Sequence, residues 1–236
     1  MDRHTRKDLK TDKFVREVGH TVDYLSHHRA QAVRYGLIGL AVLVVAGGVY
    51  LYMGRQTTLR EEALSAALRI DDATVGGNAT PAILNFPTAE EKQKARVKAL
   101  TDLVAKYPGT AEGSYAAIYL ATDAADRGDL PDAEQRYRKV MEKGPSSYAG
   151  LARLSLVEVL IAEGKLEDAK KVLREAVAKP TATVSKEQST VMLATLIGKT
   201  DPCEARKLLE PLRTERSTVS RAAIQAMGEV GPCAGK

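Results

Sequence analysis

The chain contains no tryptophan, only two phenylalanines and only two cysteines, and aromatic residues fill 5% of its 236 positions. This scarcity excludes a core built on large rings and a scaffold held by several disulfides. The interior is left to alanine, leucine, valine and isoleucine, which as a set favour helices over sheets. With 44% hydrophobic and 28% charged residues the balance is that of a folded protein, not a disordered one. The expected class is all-α.

One-signed charge is missing too. Residues 1–34 carry eight Lys/Arg against five Asp/Glu, whereas residues 54–236 carry 27 against 25. Nucleic-acid recognition requires a basic face or stripe, and the near-neutral large domain offers none, so no nucleic-acid partner is expected. No catalytic constellation is visible either. "GGNAT" lacks the lysine and preceding strand of a phosphate loop. His4, His20, His27 and His28 all precede the apolar run described next, and His27-His28 lack a third ligand, so neither a metal nor a cofactor is expected. Asn78-Ala79-Thr80 matches a glycosylation acceptor in form only. The chain is not expected to be an enzyme or to take a small-molecule substrate.

What is present begins with "YGLIGLAVLVVAGGVYLYMG", which lies uncharged between Arg34 and Arg55. As a helix rising about 1.5 Å per residue, residues 35–53 span roughly 28 Å, close to the hydrocarbon thickness of a bilayer. Tyr35 at one end and Tyr50 and Tyr52 at the other suit the two interfacial belts. A cleaved signal peptide is the competing reading, but 34 residues precede the run and "YLYMGRQ" makes a poor cleavage site. Close to the span the positive charges tie, with Arg16, Arg29 and Arg34 on one side and Arg55, Arg60 and Arg69 on the other. The whole short tail, with its eight cations, favours an N-terminus on the cytoplasmic side and an exported C-terminal domain. In that tail Phe14, Val18, Val22 and Leu25 recur at helical spacing. The expected organisation is a basic amphipathic tail at 1–34, a transmembrane helix at 35–53 and an extracytoplasmic domain at 54–236.

In that domain "GDLPDAEQRYRKVMEKGP", from Gly128, recurs 36 residues later as "GKLEDAKKVLREAVAKP", from Gly164. Aligning Ala133, Ala169 and Ala205 gives the same period twice, each alanine preceded by a helix and turn and followed by a second helix. Such self-similarity predicts an α-solenoid. The residues resemble the tetratricopeptide repeat. Leu120 and Ala121, Gly128, Ala133, Tyr137 and Pro145 take its positions in one unit, and Leu156, Val157, Gly164, Ala169, Leu173 and Pro180 in the next. A third unit keeps Met192, Leu193, Ala205 and Leu209 but loses the glycine. Upstream, Thr88 with Glu91 forms a capping box, Val97, Leu100, Leu103 and Val104 a stripe, and Tyr107-Pro108-Gly109 a stop. Its expected partner is a helix over 56–70 with Leu59, Ala63, Ala66, Ala67 and Ile70 on one face, joined to it by a long loop at 71–87. A helix over 218–227 caps the stack.

Cys203 and Cys233 flank an αα-hairpin of helices near 204–212 and 218–227 that returns one towards the other. They read either as a disulfide, which suits export, or as two unrelated buried thiols. The resemblance implies a concave face lined by first helices, on which Tyr115, Ile118, Thr122, Leu151, Leu154, Glu158, Ile161, Thr190, Ala194 and Ile197 would form a groove for apolar polypeptide. The alternative for the same residues is core, since first helices serve both. Tail, span and repeats together resemble the YfgM-type ancillary subunits of the SecYEG translocon. That resemblance implies a non-catalytic inner-membrane helper that passes exported chains to periplasmic chaperones. An envelope scaffold for cell division or outer-membrane assembly is the alternative.

Overall fold

The computed structural model describes residues 29–77, 84–214 and 218–233. The tail stripe Phe14 to Leu25, the histidines at 4, 20, 27 and 28, and the Asn78-Ala79-Thr80 triplet lie outside the described residues. The chain divides into two compact units, 1–59 and 60–236.

The first unit holds most of helix α1, Arg29–Asp71, whose 43 residues carry across the division at Leu59. The span and the first helix of the large domain, expected as separate segments, are therefore one helix. Gly54 is the sole helix-weakening residue at the expected break, and one glycine costs only about 1 kcal/mol. Its apolar stretch, Val33 onward, is long and apolar enough to cross a membrane and is buried nowhere by protein. Leu43, Tyr50 and Leu51 are each at least 70% exposed, an arrangement that water penalises and lipid does not.

In the second unit the last turns of α1 bury Ala67 and half-bury Ala63, Leu64 and Ile70, whereas Ala66 is exposed, as is Leu59 at the end of the first unit. The apolar face is thus rotated from the expected one, with Leu64 in place of Ala66. The connection at 71–87 is not wholly a loop. Strands β1, Thr74–Val75, and β2, Asn85–Phe86, pair in parallel with Thr74 opposite Asn85. The Asn85 side chain donates to Gly77 O at 2.7 Å, adding a tie that no hydrophobic alternation announces.

Helix α2, Ala89–Lys106, starts where Thr88 Oγ1 accepts the Glu91 N–H. It buries Leu100 and Leu103, with Val97 and Val104 half-buried beside them. Lys92 Nζ donates to Asp71 O and Ala73 O, both at 2.7 Å, satisfying carbonyls at the end of α1. Three helix pairs follow: α3, Ala111–Asp126, with α4, Leu130–Lys143; α5, Ser146–Ala162, with α6, Leu166–Ala178; and α7, Lys186–Gly198, with α8, Pro202–Arg213. From α2 onward each helix packs on the next in chain order.

The period of 36 is a period of burial. Ala133, Ala169 and Ala205 have no exposed surface, and the sets Tyr137, Leu173, Leu209 and Val140, Ala176, Leu212 are likewise buried. On the first helices Ala121, Val157 and Leu193 repeat, as do Ala124, Leu160 and Leu196. Only a methyl group stands between the backbones at each alanine. The turns show where the repeats agree and where they part. Gly128 (φ +81°) donates to Ala125 O while Asp129 N donates to Ala124 O, and Gly164 (φ +77°) repeats the pattern through Ile161 O and Leu160 O. Both are left-handed helix ends that favour glycine. The third repeat has Thr200 there and closes differently, with Thr200 N and Asp201 N both donating to Ile197 O.

Helix α9, Thr218–Val230, packs on α7 and α8 and buries Ala223, Ala226, Met227 and Val230. Its end is secured twice. A disulfide joins Cys203 to Cys233, with Cα atoms 4.8 Å apart, and Arg206 donates to Met227 O at 3.2 Å and to Gly231 O.

Ala169→Leu should lower stability by about 1–3 kcal/mol through overpacking, while Ala178→Leu on the exposed side of the same helix stays within about 0.5 kcal/mol. Urea unfolding of the purified chain reads both. Replacing both cysteines by serine frees a closed loop of 30 residues and should cost about 3–4 kcal/mol. Loss of that difference when the wild type is unfolded in reductant checks its origin.

Candidate functional site

The ten groove positions separate by helix. On α3, Tyr115 and Ile118 are half-buried and Thr122 is exposed; on α5, Leu151 is 41% exposed, Leu154 and Ile161 are half-buried and Glu158 is exposed. These seven present surface. Thr190, Ala194 and Ile197 on α7 do not, at 9%, 0% and 3% exposure. Here the groove expectation is corrected: the three belong to the core. The cause is α9, which packs on α7 so closely that a Cβ on Gly198 would collide with Val230. The accessible face runs over the first two repeats only.

Local chemistry holds that face in shape. The Thr122 hydroxyl donates to Ile118 O at 3.1 Å and shares a 2.8 Å hydrogen bond with the Tyr137 hydroxyl of α4. Tyr137 thereby buries its ring and satisfies its polar end. The rings of Tyr115 and Tyr119 lie 6.2 Å apart, and the Arg96 guanidinium sits 5.0 Å over Tyr119 while pairing with Asp123 at 2.9 Å and Asp71 at 3.4 Å. Burial first, and the Asp71 carboxylate second, push the Tyr119 phenol above its ordinary value. This cluster ties α2 to α3 and the end of α1.

A second polar cluster links the repeats. Lys165 Nζ bridges Glu134 at 2.8 Å and Glu163 at 3.0 Å, and Arg138 meets the other Glu134 oxygen at 2.7 Å. Its hydrogen bonds to Lys165 and then Arg138 hold the Glu134 carboxyl down at about 2. Sequence reading missed this contact. Glu134 and Arg138 are a visible i,i+4 pair, but Lys165 is 31 residues away and only the stacking brings it in. Among the described residues no group of His, Cys, Asp and Glu is arranged to hold a metal ion.

The family model of the tetratricopeptide repeat-like domain matches residues 31–194, more than half of the chain. The chain belongs to that family. The match opens two residues into α1, covers the apolar stretch and the first two repeats, and stops within α7, the helix after which the repeat turn loses its glycine. No curated protein and no solved structure matches the chain. A tetratricopeptide repeat-like domain is in general a non-catalytic fold for binding proteins, and the half-buried apolar side chains on α3 and α5 suit that use.

Because the Glu134 carboxyl is held below its ordinary value, its contribution to stability is complete above about pH 4.5 and is lost as pH falls towards 2. Glu134→Gln should therefore lower the melting temperature at neutral pH and flatten its fall between pH 5 and 2. Circular dichroism melts across that range test it, and an unchanged acid limb would dismiss the bridge.

Proposed function

We propose that this protein is a membrane-anchored protein-binding module, an accessory subunit of a secretion translocon that receives emerging chains on its exported side. One observation carries the binding reading: a partly exposed row of Leu151, Leu154 and Ile161 on α5, with Ile118 and Tyr115 half-buried at the equivalent places on α3. A soluble domain of this size would gain by covering such a row, and a helix that packs on the core with one side still has another for a partner. Two further features support the setting. The unburied apolar stretch of α1 fits a lipid environment, and a disulfide between Cys203 and Cys233 is at home in an oxidising compartment outside the cytoplasm. The basic N-terminal tail fits retention on the cytoplasmic side.

Photo-crosslinking amino acids placed at Leu154 and Ile161 in intact membranes should capture translocon subunits, periplasmic chaperones or exported chains. The same groups at Arg174, on the outer side of α6, should capture none of them. Recovery of division or outer-membrane assembly proteins alone would replace the translocon reading with that of an envelope scaffold. Equal labelling from both faces would remove the groove from the account.

A further inference from the structure

A cleft of about 280 Å³, lined by none of the ten groove positions, opens at the edge where α2 ends, α3 begins and α4 ends. Val104, Ala117 and Val140 form its apolar walls, and Lys139 and Lys143, one helical turn apart on α4, stand at its rim. Both lysines are exposed, and neither makes an ion pair among the described residues. At the floor lies Ser114. The residue is 97% buried, and its Oγ is turned to Gly144, 2.8 Å from where a Cβ on that glycine would stand. That hydroxyl makes no hydrogen bond among the described residues and is left available to a group entering the cleft.

The repeat supplies its own control. Thirty-six residues on, Ser114 becomes Gly150 and Gly144 becomes Pro180, and the corresponding space is filled by the protein itself. A Cβ added to Gly150 would collide with Thr181 Oγ1 and lie 3.1 Å from Thr183 Oγ1. Thr183 donates to Ser147 O at 2.7 Å, in the first turn of α5, and Val184 beside it is buried. The chain can do this because the connection from α6 to α7 runs from Lys179 to Ser185, whereas α4 and α5 are joined by Gly144 and Pro145 alone. One inter-repeat space is thus plugged by a turn of polypeptide, closed by the hydrogen bond from Thr181 N to Val184 O and bearing small hydroxyl side chains, and its sister is left open. The cation pair is not repeated either, since Lys139 becomes Glu175.

We propose that the cleft between α2, α3 and α4 is a second peptide site, which takes an acidic segment of a partner protein. A small side chain of that segment enters between Val104, Ala117 and Val140 and meets the Ser114 hydroxyl. Its flanking carboxylates face Lys139 and Lys143. Like-for-like filling in the next repeat selects polypeptide, and the unpaired lysines select its charge.

The test uses the full chain in lipid nanodiscs and two fluorescein-labelled peptides, Asp-Glu-Thr-Ser-Asp-Glu and its charge reversal Lys-Arg-Thr-Ser-Lys-Arg, followed by anisotropy at low salt. The acidic peptide should bind at least about tenfold more tightly than its reversal, and added salt should weaken it. Lys139→Glu with Lys143→Glu, both on the surface, should cost the acidic peptide about tenfold or more, and Ser114→Ala a smaller, several-fold loss. Lys94→Glu, an exposed change on the far part of α2, and Leu154→Glu on α5 should leave its affinity within about twofold, which separates this site from the α3–α5 face. Equal affinity for the two peptides, an unaltered affinity in the double variant, or an equal loss with Lys94→Glu would each overturn the proposal.

Discussion

Three alanines without exposed surface, Ala133, Ala169 and Ala205, set the separation at which each second helix meets its neighbours, and the architecture of the repeat region rests on that contact. A methyl group there lets backbones come together, so that the larger side chains one and two turns further on, Tyr137 and Val140 or Leu209 and Leu212, interdigitate instead of holding the helices apart. Because the spacing recurs every 36 residues, one local solution to burying an apolar stripe is applied three times. No pair could stand alone; each covers the open side of the one before it.

Polar contacts then decide angle and ending more than affinity between layers. Lys165 reaches from the turn of the second repeat to Glu134 in the first, and Arg96 gathers Asp71, Asp123 and the Tyr119 ring at the front of the stack. Both groups are partly shielded from water, where charged hydrogen bonds count for more than on an open surface. At the other end the third repeat would expose its apolar side. Helix α9 covers it, with Val230 against Gly198 and with a disulfide and Arg206 holding the return. In the third repeat Thr190, Ala194 and Ile197 are buried, whereas side chains of α3 and α5 keep exposed surface.

Much of this is legible from residues near one another in sequence. The period, the glycines that require a positive φ, the capping Thr88 and the apolar stretch of α1 are each local patterns with local causes. Less legible were contacts between distant segments. The parallel pairing of Thr74 with Asn85 has no alternation to announce it, and the rotation that puts Leu64 inward in place of Ala66 depends on where α1 meets the rest of its cluster. The continuity of α1 through Gly54 also escaped, because a change of environment from apolar to polar side chains looks like a boundary although the backbone has no reason to stop.

The amino-acid order by itself determined that this chain makes paired helices of fixed period behind an apolar segment, since helix propensity, glycine turns and hydrophobic spacing act over a few residues. Only the tertiary structure decided which first-helix side chains remain at the surface, which inter-repeat space is plugged by Thr181 and Thr183, and which is left open above Ser114. Exposure belongs to no single segment: it depends on what another part of the chain, tens of residues away, packs against it.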